Sequence, residues 1–179
     1  MRIKKWLASA VVLSVFAGVF AGCSMTEEAP AGPDYTELTA SITEYEDSYR
    51  SFVQEGEGEV AVVTATGTTP LGAQCSSVYT CSSDGRFESC SLTVQRDVEQ
   101  HDEYFHISDD MMMFVRSYID AAGLIVIQKY VTLSNGSQVF YIDDEAQTVT
   151  PVTDLSSLDC FVTFDQVRRA YGPEDETTT

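Results

Sequence analysis

Between Val60 and Val152 the chain is a succession of short runs of β-branched and aromatic residues with only turn residues between them, and this spacing constrains the fold more than any other feature. The runs are Val60–Thr69, Ser77–Ser82, Phe87–Val98, Tyr104–Ile107, Met111–Ile119, Leu124–Leu133, Gln138–Ile142 and Thr148–Val152. Turn chemistry separates them at Asp84-Gly85, Asp109-Asp110, Ala122-Gly123, Ser134-Asn135-Gly136 and Asp143-Asp144-Glu145. Parallel strands require crossover connections of about a dozen residues or more, and these connections are too short. The spacing therefore predicts an antiparallel meander of about seven or eight strands.

The period differs on either side of the meander. Asp34 is a candidate N-cap, and apolar residues recur at Leu38, Ile42, Tyr45, Tyr49, Phe52 and Val53, at intervals close to three and four. This predicts an amphipathic helix to about Glu55, stopped by Gly56 and Gly58. Near the other end, Thr163 and Gln166 have capping-box spacing, Arg168 and Arg169 fall in the last turn, and Gly172 follows as a stop. The expected class is α+β: an N-terminal amphipathic helix packed on an antiparallel meander, with a short C-terminal helix. A single domain is expected over 34–171. The small, acidic and Pro/Gly residues of 23–33 read as a flexible tether, and 172–179 as a disordered acidic tail.

The chain opens Met1-Arg2-Ile3-Lys4-Lys5 and is then apolar from Trp6 to Ala21, with only Ser9 and Ser14 interrupting. A cationic start and an apolar stretch shorter than the ~20 residues of a membrane-spanning helix have the form of an export signal over 1–22. The stretch ends Phe20-Ala21-Gly22-Cys23, which resembles the lipobox of bacterial lipoproteins, although Phe20 stands where that family usually has Leu. The resemblance implies cleavage between Gly22 and Cys23 and attachment of diacylglyceryl (palmitate-type) chains to the Cys23 thiol. The domain would then be anchored by lipid on the extracytoplasmic face of a membrane, the outer membrane where one exists, given Ser24 after the cysteine. At about 0.8 kcal/mol per buried methylene, two or three acyl chains hold a domain permanently.

Removing Arg2, Lys4 and Lys5 takes the net charge from −18 to −21. So acidic a surface repels nucleic acid and anionic headgroups, so nucleic-acid binding is excluded and membrane contact is expected from the lipid alone. The order of helix then long meander resembles envelope lipoproteins of the LolA/LppX type, in which a curved sheet wraps around helices and can leave an apolar cavity for lipid. Cystatin-like and NTF2-like cones share the same helix-on-sheet logic.

Four cysteines remain once Cys23 is committed to lipid: Cys75, Cys81, Cys90 and Cys160. In an exported domain an even number suggests two disulfides among three possible connectivities, with four free thiols as the alternative. A four-residue loop at Asp84–Phe87 would pair Ser83 with Glu88 and set Cys81 opposite Cys90 for a cross-strand bridge. Cys75 would then join Cys160 by elimination.

His101 and His106 lie in the acidic run His101–Asp110, read as a polar loop with two strand-edge histidines. Their odd separation puts them on opposite faces of a strand, so they do not form a metal site. Met111, Met112 and Met113 alternate faces in the same way, and packing is expected of them rather than copper binding. Asn135-Gly136-Ser137 has the form of a glycosylation acceptor, but its position makes it a hairpin turn. No nucleophile elbow, phosphate loop or dinucleotide fingerprint is present, so no catalytic residue, cofactor or metal is assigned. The expected function is non-catalytic binding of a small or lipidic ligand, or of an envelope protein. A carboxylate-based hydrolase of envelope polysaccharide is the alternative, since such a pair needs only spatial proximity.

Overall fold

A computed structural model describes residues 32–55 and 60–173. The signal 1–22, Cys23, nearly all of the tether, the stop at Gly56 and Gly58 and the acidic end 174–179 lie outside the described residues. Helix α1 (Tyr35–Glu55) is followed by β1 (Val60–Thr68), β2 (Gln74–Ser82), β3 (Glu88–Val94), β4 (Gln100–Ser108), β5 (Met111–Ile119), β6 (Ile125–Leu133), β7 (Gln138–Asp143) and β8 (Thr148–Pro151). A single 3₁₀ turn, Leu155–Ser157, leads to α2 (Phe164–Tyr171). The eight strands form one sheet in sequential order, and every neighbouring pair is antiparallel. The fold is the α+β meander that the spacing predicts.

Both helices are capped as their sequences imply. Asp34 Oδ1 accepts the amides of Thr36 at 2.9 Å and Glu37 at 3.1 Å. At α2, Thr163 Oγ1 accepts the Gln166 amide at 3.2 Å while Gln166 Oε1 accepts that of Val162 at 3.0 Å.

Alternation along the strands sends successive side chains to opposite faces of the sheet, and each face has its own cover. On one face Leu38 and Ile42 of α1 pack on Met113, Val131, Phe140 and Ile142. Farther along α1, the rings of Tyr45, Tyr49 and Phe52 surround Phe87 with centroids 5.7, 5.5 and 5.1 Å away. On the other face, Tyr79, Leu92, Tyr104, Phe114 and Tyr130 lie under Phe161, Phe164, Val167 and Tyr171. Each of these large side chains contributes about 1.5–3 kcal/mol by leaving water. Strand β5 is covered on both sides, which is why it reads as the unbroken apolar run Met111–Val115. The three methionines alternate as expected: Met112 packs on the α2 face, and Met111 and Met113 on the α1 face. Strand β2 is covered only on the α2 face and alternates buried with exposed from Gln74 to Tyr79.

Two expectations are corrected. The run His101–Asp110 is not a polar loop: most of it is strand β4, which starts at Gln100. Its Asp102 is fully buried because Arg116 sits opposite it on β5 and chelates the carboxylate at 3.0 and 2.9 Å. Gln100 Nε2 donates to the same two oxygens at 2.9 and 3.0 Å. Arg116 also donates to the carbonyls of Leu158 at 2.6 Å and Asp159 at 3.3 Å, tying the segment that leads into α2 onto the sheet.

The second correction is the register of the β2–β3 hairpin. Cys81 pairs with Glu88, and Cys90 pairs with Tyr79, a shift of two residues from the arrangement that opposed Cys81 to Cys90. The cause is Ser82, whose amide donates to Phe87 O at 2.9 Å and whose hydroxyl accepts the Phe87 amide at 3.0 Å, so the loop closes one pair earlier. Cys75, Cys81, Cys90 and Cys160 are all free thiols in this structure, without the Cys81–Cys90 and Cys75–Cys160 bridges.

Candidate functional site

A cleft with polar walls lies on the α2 face, where the β4–β5 turn, the β6–β7 turn and the start of α2 meet. It has a volume of about 240 Å³. His106, Ser108, Asp109 and Asp110 come from β4 and its turn, Asn135 and Gly136 from the β6–β7 turn, and Val162 to Asp165 and Arg168 from the approach to α2 and its first turns. A register shift between His106 and Ser108 in the β4–β5 ladder opens this corner. The β6–β7 turn forms the opposite wall, with Ser134, Asn135 and Gly136 all in the left-handed region at φ of 52°, 52° and 83°.

The charges at the cleft are organised by one guanidinium. Arg168 Nε donates to Glu88 Oε2 at 2.9 Å, Arg168 Nη1 pairs with Asp165, and its Cζ lies 5.5 Å from the centre of the Phe164 ring. Tyr79 donates its hydroxyl proton to the same Glu88 oxygen. Burial by itself pushes the Glu88 carboxyl up, but its bonds to Arg168 and Tyr79 outweigh burial and hold it below the usual glutamate range. Tyr79 is raised in turn, first by burial and then by its bond to Glu88. The Glu88 anion is thus held by two donors. Arg168 is held well above its ordinary value, chiefly by its hydrogen bond to Glu88.

The His106 ring packs on Phe164, centroids 5.1 Å apart, and among the described residues no hydrogen bond joins it to Ser108 or to a carboxylate. A nucleophile activated by a base needs that contact. The other histidine, His101, faces away: its Nδ1 lies 3.4 Å from Thr93 Oγ1, and its Nε2 lies 3.2 Å from Glu99 Oε1. Among the described residues no three His, Cys, Asp or Glu side chains are grouped to hold a metal ion. The walls offer carboxylates at Asp109, Asp110 and Asp165 together with amide and hydroxyl groups, so they match a small hydrogen-bonding molecule better than an acyl chain. The space between α1 and the sheet is filled by Leu38 and Ile42 on Met113, Val131 and Phe140.

Of the residues singled out in the sequence, Cys23 and Gly22 lie outside the described residues. Cys75, Cys90 and Cys160 are buried on the α2 face, while Cys81 is half-buried at the end of β2. Burial pushes the thiol of Cys90 up to about 12 and that of Cys160 up to about 11, and it raises Cys81 as well. Since the thiolate is the reactive form, native protein at pH 8 should expose only Cys81 to a thiol reagent, with Cys75, Cys90 and Cys160 reacting on unfolding. The check is a thiol titration before and after denaturant; unfolded protein that releases no more than two thiols would restore the disulfides.

Sequence reasoning missed the Tyr79–Glu88–Arg168 cluster. A signal was present, since Glu88 shares the alternation phase of Cys90 and Leu92 and so had to face the core with a cation beside it. From sequence alone Arg168 is only a favourable charge in the last turn of a helix.

No known protein family, curated protein or solved structure matches the chain.

Proposed function

We propose that this chain is a lipid-anchored extracytoplasmic domain that is exported through residues 1–22, held on a membrane by lipid on Cys23, and acts by non-catalytic binding of a small polar ligand. The observation that carries the anchoring is the Phe20-Ala21-Gly22-Cys23 junction at the end of an apolar stretch behind three cations. The distance to the folded part agrees with it: α1 is capped by Asp34, so only a short linker separates Cys23 from the core. Among the described residues no helix is long and apolar enough to cross a membrane. The binding role rests on the polar cleft beside α2, which is lined by the carboxylates of Asp109, Asp110 and Asp165 together with His106 and Ser108.

Replacing Cys23 with alanine should move the exported protein from the detergent phase to the aqueous phase in phase partitioning and remove the acyl mass from its N-terminal peptide. A Cys23→Ala protein that still enters detergent would rule the anchor out. For the ligand, mass spectrometry of small molecules that co-purify with the tag-free mature protein should find a polar species that is depleted in an Asp165→Asn, Asn135→Ala double variant. Equal recovery from both proteins would remove the cleft from the proposal.

A further inference from the structure

In a sequential antiparallel sheet every second turn lies at the same end, so the β1–β2, β3–β4, β5–β6 and β7–β8 connections are neighbours. Among the described residues most of the exposed large apolar side chains gather there: Leu71 in the first of these connections, Val98 in the second, and Ile119, Leu124, Ile125 and Ile127 at the β5–β6 hairpin. Leu124, Ile125 and Ile127 are 64, 74 and 65% exposed. Farther up the same two strands the α1 side is covered by the helix, but at the tip Ile119 and Ile125 pair across the ladder and no described residue covers them. Four of these exposed side chains, Ile119, Leu124, Ile125 and Ile127, share one hairpin, and large exposed apolar groupings on soluble domains mark contact surfaces.

The chain enters the fold near this same end. A side chain on Gly32 would touch Phe140 and Val149 of the β7–β8 hairpin, and Tyr35 donates its hydroxyl to Asp144 at the β7–β8 turn at 3.0 Å. The nine residue steps from Cys23 to Gly32 span at most about 30 Å when fully extended. A lipid on Cys23 therefore leaves the β7–β8 turn, beside which the chain enters the fold, within reach of the bilayer.

We infer that the β5–β6 hairpin end of the sheet seats in the lipid surface to which Cys23 anchors the chain, with Leu124 and Ile125 as its most deeply placed side chains. The inference rests on the lipid anchor proposed above and adds a second, protein-made contact to it. The tip's backbone is suited to low polarity: Asp120 N donates to Leu124 O at 2.9 Å, Gly123 N donates to Asp120 O at 3.0 Å, and Asp120 Oδ1 accepts the amides of Ala122 and Leu124 at 2.9 Å each. The surrounding carboxylates select the kind of surface. Asp97, Glu99, Asp120 and Asp143 to Glu145 line this end, while its two main cations are already engaged, Arg96 by Asp159 and Lys129 by Asp144. Anionic headgroups are repelled, so the contact is with zwitterionic lipid.

The sole tryptophan of the chain is Trp6, in the segment removed on export, so an introduced tryptophan reports alone. Lipidated Leu124→Trp protein, reconstituted in phosphatidylcholine vesicles, should emit at shorter wavelength than in detergent-free buffer and be quenched severalfold by phosphatidylcholine brominated on its acyl chains. Val62→Trp, at an exposed β1 position toward the opposite end, should keep a water-exposed spectrum and resist that quencher. Floated vesicles carrying Leu124→Trp protein that stays unquenched would overturn the docking and leave the anchor intact. A blue shift without quenching would assign the tip to another protein copy and also overturn it. Protein that does not float with the vesicles would overturn the anchor, and the docking with it.

Discussion

Replacing Arg116 with methionine should lower the free energy of unfolding by about 3–5 kcal/mol, because it leaves a buried carboxylate with no cation. Asp102 is fully buried, and its remaining donor is Gln100. The same change removes the donors to Leu158 O and Asp159 O. Burial pushes the Arg116 pKa down, but its bonds to Asp102 and the carboxylate's charge outweigh this and hold it above its ordinary value. The double change Asp102→Leu with Arg116→Met should recover the share owed to the carboxylate and keep the cost of the two carbonyls and of the Gln100 amide left without its acceptor, roughly 1–3 kcal/mol each. Urea unfolding of the three proteins measures this order. A single Arg116→Met variant within about 1 kcal/mol of the parent would mean that the pair is solvated.

The second large effect belongs to the cleft wall. Gly136→Ala should cost several times more than Gly123→Ala, although both glycines have positive φ, at 83° and 80°. A Cβ on Gly123 meets nothing within 4 Å, so the change carries only the left-handed penalty, about 1–2 kcal/mol. A Cβ on Gly136 would lie 2.7 Å from Thr163 Cγ2 and 2.8 Å from Val162 O. The backbone carbonyl cannot step aside without moving Thr163, the cap of α2, so overpacking adds about 1–3 kcal/mol and loss of the cap about 1 more. Thermal unfolding of the two variants side by side tests this. Equal melting temperatures would show that the β6–β7 turn does not press on the helix.

How much of this was legible depended on whether the cause was local. The meander followed from turn residues at short intervals, and both helix starts from side chains that bond amides two or three residues away. The capping box of Thr163 and Gln166 is local in that sense, and the structure has it. The burial of Asp102 was not legible, because its partner Arg116 is set by strand register and a carboxylate in an acidic run looks solvated by default. The two-residue shift that separates Cys81 from Cys90 arises from Ser82, whose amide and hydroxyl bond Phe87 and so slide the four-residue loop back by one residue in a way that residue counting does not reveal. The cleft was illegible for a simpler reason. Its walls come from three connections, and only the folded chain brings Asp110, Asn135 and Asp165 to one place.

The strictly sequential strand order also has a kinetic meaning. Every ladder joins consecutive segments, so each pairing closes a short loop and the sheet can zip as the chain appears, N-terminus first. The α2 face is the exception. Tyr171 donates to Thr68 O at 2.8 Å across 103 positions and lies 3.0 Å from Cys75 Sγ, so the last turn of the last helix latches onto the first hairpin. Until that latch closes, Tyr79, Leu92 and Tyr104 face water. A molecule cut short before residue 158 would be a formed sheet with one sticky side, a state that folding surveillance can distinguish from the finished product and remove.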